Sequence, residues 1–262
     1  MRGSLPVLRR SRQRISKTVR HKIGAPAQAG ALFERNAMEI EVIARIRTDF
    51  PAKFGIPRQS GLVEELEGVI VFEPEYRREE ALRGLEGFTH LWLIWEFSEN
   101  RRSDWSPTVR PPRLGGNKRL GVFATRSPFR PNPLGLSCVK IKSVERTDDL
   151  GTVIRVSGAD LMDGTPIYDI KPYLPLSDCR TDARGGFAAE KEGYELKVVV
   201  PPEELERLPE EKREALIKVL SQDPRPAYQD EPERVYGFGF AGFEIKFRVS
   251  GETLTVLKII RE

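Results

Sequence analysis

Residues 110–136 read RPPRLGGNKRLGVFATRSPFRPNPLGL and interrupt a chain that otherwise looks like a series of short strands. Five prolines and four glycines exclude a helix here, because proline removes a backbone donor and clashes with the preceding turn. Only residues 120–125 have the composition of a strand. A loop this long within a compact domain is usually functional or disordered. Its arginine, asparagine and phenylalanine content favours function, so the segment predicts a strand-built domain that presents a long, rigid loop.

The same segment is basic. It carries no acid, and its six cations are Arg110, Arg113, Lys118, Arg119, Arg126 and Arg130. Arginine forms a planar fork that matches phosphate, carboxylate or the face of a base. Phe123 and Phe129 are candidates for stacking on a base. The alternative is a solvated basic loop with buried phenylalanines, but the flanking prolines and glycines would hold these cations in place, which favours a binding site.

Residues 38–47 have the period of two that is typical of a half-buried strand, and residues 88–97 are an aromatic-rich strand-like segment. Strands are predicted at residues 38–47, 68–73, 88–97, 137–144 and 152–156. A helix is predicted over residues 74–85, where apolar residues recur between charges. Together these elements predict a mainly β main domain over residues 38–176.

The character of the chain changes after residue 176, where residues 177–193 are polar. Strands are then predicted at residues 194–200, 236–249 and 253–260, and helices at residues 203–208 and 209–221. These elements predict a small α+β C-terminal domain over residues 177–262. Residues 237–242 match GxGxxG, but a strand-like segment follows them where a dinucleotide site needs a helix, so they predict a hairpin or bulge.

The first 37 residues carry most of the positive charge. They hold nine lysines and arginines and one glutamate, a net charge of +8, whereas the whole chain carries +4 and the remainder therefore −4. We expect residues 1–37 to be a disordered leader, and the initial MRGS resembles an expression leader. A working RNA-binding arm is the alternative.

Composition excludes several classes of protein. The two cysteines, Cys138 and Cys179, lack CxxC spacing, and with only His21 and His90 no zinc or histidine-rich metal site is expected. No GxSxG accompanies His90, which disfavours a serine hydrolase. No apolar run is long enough to span a membrane. We therefore predict a cytoplasmic protein without a metal and without a membrane partner.

Two further clusters offer polar groups. Residues 160–171 contain Asp160, Asp163, Asp169 and Lys171 beside a predicted strand end. One interpretation of Asp163-Gly164 is a turn that Asp163 caps itself; the other is a binding site, because a sulfonium cation and a ribose diol need such acceptors. Residues 55–61, GIPRQSG, form a rigid segment whose backbone and Gln59 amide are available to a ligand.

These pieces occur in a recognisable order. FGIPRQSGL, LRGLEGFTHLWLIWEF, the basic block, DLMDGTPIYDIKPYLP and QDPRPAY together resemble the bacterial TsaA-like family, also called TrmO, from about residue 38 to residue 249. Members of this family are S-adenosylmethionine-dependent tRNA (adenine-N6) methyltransferases. The resemblance implies an antiparallel β-barrel main domain, a homodimer with the methyl donor near its interface, and a threonylcarbamoyladenosine target at position 37, in the anticodon loop of a threonine tRNA.

The resemblance also implies a set of donor-binding residues. These are Pro57, Arg58, Gln59, Arg126, Leu136, Asp160, Leu161, Met162 and Asp163. Relatives commonly end the aromatic strand in Phe-His, where this chain has Phe97-Ser98-Glu99, so donor contacts by Ser98 and Glu99 are expected through their backbone.

The remaining roles follow from the implied reaction. The RNA-binding residues are expected to be Arg113, Arg130, Asn132, Asp223, Arg225 and Tyr228. Arg126 or Arg130 would pair with the carboxylate of the threonyl group. Asp163 is the first candidate base for the N6 proton and Asp169 the second.

Two other functions stay open at this point. The first is a barrel that binds S-adenosylmethionine or RNA without catalysis, an alternative that the change at Ser98 keeps open. The second is a methyltransferase that acts on another substrate, such as a small molecule or a different RNA.

Overall fold

The computed structural model describes residues 39–100, 105–111, 118–191, 193–225 and 231–262. Residues Ile40–Glu262 form one compact unit. The predicted leader, and the predicted RNA contacts Arg113 and Tyr228, lie outside the described residues.

The described residues form twelve strands and three short α-helices. The strands are β1 (Ala44–Arg47), β2 (Glu67–Phe72), β3 (His90–Glu96), β4 (Thr108–Val109), β5 (Leu120–Gly121), β6 (Leu134–Thr147), β7 (Gly151–Ser157), β8 (Pro166–Pro172), β9 (Lys197–Val199), β10 (Tyr236–Phe240), β11 (Phe243–Ser250) and β12 (Thr253–Arg261). The helices are α1 (Pro175–Asp178), α2 (Pro202–Leu205) and α3 (Glu210–Ser221). Across these segments no helix has the length and apolarity needed to cross a membrane.

Six of the described strands form a closed barrel in the order β1-β2-β7-β6-β3-β8, and every pairing is antiparallel. Alternation explains the inside and outside of this barrel: Ala44 and Ile46 are fully buried, whereas Arg45 and Arg47 between and after them are exposed. The interior is filled mainly by aliphatic side chains from all six strands, including Ile70, Leu91, Leu93, Val139, Ile154 and Ile167. The prediction of a mainly β, antiparallel protein is confirmed.

One sequence-based prediction for this region is wrong, and one strand was not predicted. Residues 74–85 contain short 3-10 turns, Pro74–Tyr76 and Glu79–Leu82, in place of one helix. Extended backbone at Arg78 and Arg83 separates these turns from each other and from the next, so the apolar spacing never forms a continuous face. Strand β8 was not predicted, because its charged residues, Asp169 and Lys171, obscured the alternation.

The C-terminal part is a sheet with the strand order β10-β11-β12-β9, in which β9 is parallel to β12 and the other pairs are antiparallel. Helix α3 buries Ala215, Leu216, Val219 and Leu220 in the core of this sheet. The β1–β2 connection adds Phe50, Val63 and Leu66 to the same core. Residues 237–242 form the β10–β11 hairpin, with positive φ at Ala241 (53°) and Gly242 (80°), so the hairpin prediction is confirmed.

Candidate functional site

Three segments predicted to bind the donor meet beside the barrel. The Arg126 guanidinium donates to the Gln59 side-chain oxygen. The Asp160 carboxylate, just after β7, accepts a hydrogen bond of 2.5 Å from the Ser137 hydroxyl on β6. Residues 57–60, the central loop and the segment after β7 therefore form one cluster, which we call the donor cluster (Gln59, Ser60, Arg126, Ser137 and Asp160).

Backbone contacts fix the loop that carries Gln59. The Cys138 amide donates to the Ser60 hydroxyl at 3.0 Å, and the Gly61 amide donates to the Gly158 carbonyl at 2.9 Å. The second contact requires close approach, since a Cβ on Gly158 would lie 3.3 Å from the Gly61 backbone. Hydrogen bonds at both points hold Gln59 and Ser60 against β6 and β7.

Asp160 supplies the carboxylate of the donor cluster. Burial raises the pKa of Asp160, and hydrogen bonds from Ser137 and the Ser60 amide, together with the charge of Arg126, oppose that rise. The site thus contains a half-buried acid whose ionised form is supported by three neighbours.

Arg58, next to Gln59 in the sequence, contacts the C-terminal part of the chain. Its guanidinium donates to the Asp223 carbonyl at 3.2 Å, and so connects the loop before Gln59 to the segment after α3. Asp223 has a positive φ of 50° and accepts two hydrogen bonds from Arg225, at 2.9 and 3.0 Å. Arg225 is only 9% exposed, so this pair braces the segment.

Asp163 and Asp169, the two predicted bases, have other hydrogen-bond and ion-pair partners than Asp160. Asp163 is exposed, and its Oδ1 accepts a hydrogen bond of 3.0 Å from the Thr48 amide. Asp169 Oδ2 pairs with Lys171 at 2.8 Å, and its Oδ1 accepts from the Ile170 amide. Both predicted bases are thus held in place by a neighbour.

The central loop is tied to itself and to the barrel. Arg130 donates to the Thr125 carbonyl at 3.1 Å, and the Phe97 amide donates to the Pro133 carbonyl at 2.8 Å. Phe123 is 73% exposed and lies 6.3 Å from the ring of Trp105, itself 53% exposed. These rings flank the β4–β5 ribbon, which leaves an aromatic surface beside the exposed Lys118 and Arg119.

Comparison with known proteins decides the family. Residues 45–179 match the profile of the tRNA-methyltransferase O N-terminal domain, and residues 195–262 match that of the TrmO C-terminal domain. The chain belongs to the tRNA-methyltransferase O family.

Relatives in this family cover most of the chain. A protein of Escherichia coli (strain K12) named tRNA (adenine(37)-N6)-methyltransferase is 42% identical over 223 residues, which make up 82% of this chain and 94% of the relative. A protein of Eikenella corrodens with the same name is 46% identical over 172 residues, covering 62% of this chain and 91% of the relative. A crystal structure of TrmO from Pseudomonas aeruginosa has a TM-score of 0.68 at 33% identity, covering 85% of this chain and 98% of that one.

The predicted donor residues of this TrmO-family chain differ in exposure. Gln59, Arg126 and Asp160 belong to the donor cluster, and Leu136 follows Gly135 on β6 with 49% of its surface exposed. Pro57 and Leu161 are buried, and the Leu161 carbonyl accepts from the Thr48 hydroxyl. Met162 is half-buried on the turn that leads to Asp163.

Ser98 and Glu99 begin a 3-10 turn (Ser98–Asn100) directly after β3. Asn132, expected to bind RNA, is exposed, and its carbonyl accepts from the Leu134 amide. In the described ranges no group of histidine, cysteine and acidic residues is arranged to hold a metal ion.

Sequence reasoning missed Trp95, Ser137 and Ser60. Trp95 and Ser137 read as ordinary strand residues, and only their inward position beside Asp160 gives them a polar role. The small residues at 135 and 137, opposite an aromatic strand, were the one available signal. Trp105 was also missed, because nothing in the sequence pairs it with Phe123.

Proposed function

We propose that this protein transfers a methyl group from S-adenosylmethionine to N6 of the adenine at position 37 of tRNA. The observation that carries the proposal is the match of both family domains to a chain in which three predicted donor residues, Gln59, Arg126 and Asp160, meet in one cluster. The relatives named tRNA (adenine(37)-N6)-methyltransferase support the target position. The finer target we propose is threonylcarbamoyladenosine in a threonine tRNA.

The chemistry of the donor cluster fits S-adenosylmethionine. This molecule supplies the methyl group when bound, and it combines a sulfonium cation with ribose hydroxyls. Asp160 offers a carboxylate acceptor, and Leu136, on the same strand as the Ser137 that contacts Asp160, offers an exposed apolar side chain. Gln59 and Arg126, held together by their hydrogen bond, would close one side of the pocket. Pro57, Leu161 and Met162 would contribute backbone groups, as would Ser98 and Glu99.

The N6 nitrogen of the target loses a proton during methylation, so an acceptor near it is required. Asp163 is our first proposed base, because it is exposed and a carboxylate in this position is accessible to RNA. Asp169 is the second, although its ion pair with Lys171 would compete for the carboxylate. A positioned carboxylate contributes roughly 10²- to 10⁴-fold to such a step.

The RNA would lie along the basic loop. Lys118, Arg119 and Arg126 are exposed, and Phe123 beside Trp105 offers a stacking surface. Arg130 is braced against its own loop, which leaves its remaining guanidinium donors for the threonyl carboxylate. Asp223 and Arg225 would act by shaping the segment that precedes Tyr228, since Arg225 is buried against Asp223.

We further propose a cytoplasmic homodimer whose interface lies near the donor cluster. The outer barrel face beside this cluster carries Leu136, which is 49% exposed, next to the half-buried Ile94 in register on β3. An apolar surface of this kind is favourable to cover.

Incubating the protein with methyl-labelled S-adenosylmethionine and unfractionated tRNA tests the proposal. Label should enter tRNA and depend on the protein. If the protein binds the donor and labels no tRNA, it is a binding module or acts on another substrate. If it binds no donor at all, the assignment of the donor cluster fails as well.

A further inference from the structure

A buried hydrogen-bond chain runs behind the donor cluster. The Trp95 indole N–H donates to the Ser137 hydroxyl at 2.9 Å, and that hydroxyl donates to Asp160 Oδ1 at 2.5 Å. Ser137 is fully buried and Trp95 is 7% exposed. Water therefore has little access to the first two members of the chain, and their orientation depends on the protein alone.

The direction of this chain is fixed by chemistry. An indole N–H can only donate, and a serine hydroxyl has one proton. Because the Ser137 oxygen accepts from Trp95, its single proton is free to point at Asp160, and Asp160 Oδ1 has to be an acceptor. The hydrogen bonds therefore hold Asp160 Oδ1 as an acceptor, and they favour the ionised carboxylate because a hydrogen bond to a charged oxygen is stronger than one to a neutral acid.

The pairing of β3 with β6 brings Trp95 close to Ser137. Trp95 on β3 lies opposite Gly135 on β6, two positions before Ser137. A Cβ on Gly135 would lie 2.2 Å from the indole ring, so only glycine leaves room for Trp95 where it stands. The Gly-Leu-Ser sequence of residues 135–137 thus seats the indole, exposes Leu136 and supplies the hydroxyl.

We propose that Trp95 and Ser137 are positioning residues that keep the Asp160 carboxylate ionised and oriented for the methyl donor. This inference rests on the proposed function, because it takes Asp160 to contact S-adenosylmethionine. Opposing effects act on Asp160: burial raises its pKa, while the Ser137 hydroxyl, Arg126 and the Ser60 amide lower it. Loss of the hydroxyl removes the largest of the opposing effects, so Asp160 would take up a proton at a higher pH.

The test is the pH dependence of S-adenosylmethionine binding, measured by calorimetry on the full chain. In the wild type, affinity should fall as pH drops through the Asp160 titration. In Ser137→Ala this acid limb should move to higher pH, by about one unit, because the carboxylate loses a hydrogen bond that favours its ionised form. Affinity should recover in Ser137→Ala at higher pH, a rescue that a purely structural defect would not show.

Two further variants complete the design. Trp95→Phe keeps an aromatic ring and removes the indole donor, so it should shift the acid limb in the same direction by less, and it carries the test if Ser137→Ala does not fold. Ser143→Ala is the matched control, because Ser143 lies on the same strand and bonds Glu145; its profile should equal that of the wild type.

The outcomes separate this inference from the proposed function. A wild type that binds no S-adenosylmethionine contradicts the proposed function. A wild type that binds it, with folded variants whose acid limb stays in place or whose affinity falls equally at every pH, overturns the positioning role of Trp95 and Ser137.

Discussion

At the scale of single residues, Asp160 and Asp163 lie three positions apart and have different hydrogen-bond partners. Asp160 is half-buried and accepts from Ser137, whereas Asp163 is exposed and accepts from the Thr48 amide. The first suits a bound cation and the second suits exchange of a proton with RNA. We propose that this difference in environment divides two identical side chains between donor binding and proton transfer.

Asp163→Asn separates the structural role of Asp163 from its proposed chemical one. Asparagine retains an oxygen that can accept from Thr48 and cannot take up a proton at neutral pH. Single-turnover methyl transfer should fall by roughly 10²- to 10⁴-fold with little change in donor affinity. Asp148→Asn, in the exposed β6–β7 turn, is the control and should leave the rate unchanged. A near-normal rate in Asp163→Asn removes Asp163 as the base.

Gly135→Ala should destabilise the barrel. The new Cβ would meet the Trp95 ring at 2.2 Å, and a clash in a packed site typically costs about 1–3 kcal/mol. Urea unfolding measures the loss. Gly121→Ala is the control, because Gly121 has an ordinary φ of −58° and its added Cβ meets no atom within 4 Å. Equal stability of the two variants would show that Trp95 is not confined as described.

At the scale of elements, the β4–β5 ribbon carries the exposed aromatic pair. Phe123→Ala should weaken tRNA binding by about 1–3 kcal/mol through lost stacking, while leaving stability nearly unchanged because the ring is 73% exposed. Filter binding or fluorescence anisotropy measures the affinity. Leu176→Ala removes another exposed apolar side chain, 95% exposed, and should have no effect. Unaltered tRNA affinity in Phe123→Ala would exclude the ribbon from the RNA surface.

Helix α1 is attached to the barrel through Asp178. Hydrogen bonds from the Leu174 amide and the Trp92 indole, the latter at 2.8 Å, hold the pKa of Asp178 below its ordinary value of 3.8. Since the folded pKa is lowered, the stabilisation is present above the ordinary value and is lost as pH falls through the folded one. The Trp92 indole N–H resonance should therefore shift in acid below pH 3.8, while that of the exposed Trp105 stays. A Trp92 resonance that does not move would contradict the contact.

Strands rich in β-branched apolar residues were predictable, and a strand with interspersed charges was not. The predicted bounds 68–73 and 152–156 are nearly correct because valine and isoleucine dominate there, whereas Asp169 and Lys171 hid β8. The opposite error occurred at residues 74–87. Their apolar spacing predicted a helix, but the backbone there forms separate 3-10 turns.

The candidate site was predictable in its residue types and not in its contacts. The order of the motifs along the sequence predicted Gln59, Arg126 and Asp160. The fold brings these three residues together, although Gln59 and Asp160 are 101 positions apart in the sequence. The partners Ser137 and Trp95 depend on strand register, which composition does not reveal. The same holds for the hydrogen bond of Arg58 to the Asp223 carbonyl.

At the scale of the whole molecule, Arg58 and Gln59 are neighbours that contact different parts of the chain. Gln59 joins the donor cluster, and Arg58 contacts Asp223 after α3. The β1–β2 connection also packs Phe50 and Val63 into the core of the C-terminal sheet. The boundary predicted near residue 176 remains a prediction, and the two family domains share this connection as a packed element. The donor cluster and the segment after α3 are therefore linked through two adjacent residues, Gln59 and Arg58.

The central claim concerns a single product. Purified tRNA incubated with the protein, with and without S-adenosylmethionine, can be digested and its nucleosides and oligonucleotides measured by mass spectrometry. The account predicts one added methyl group on N6 of the modified adenosine at position 37, only when both protein and donor are present. Absence of that nucleoside with a protein that binds the donor, or methylation at another position, would contradict the account.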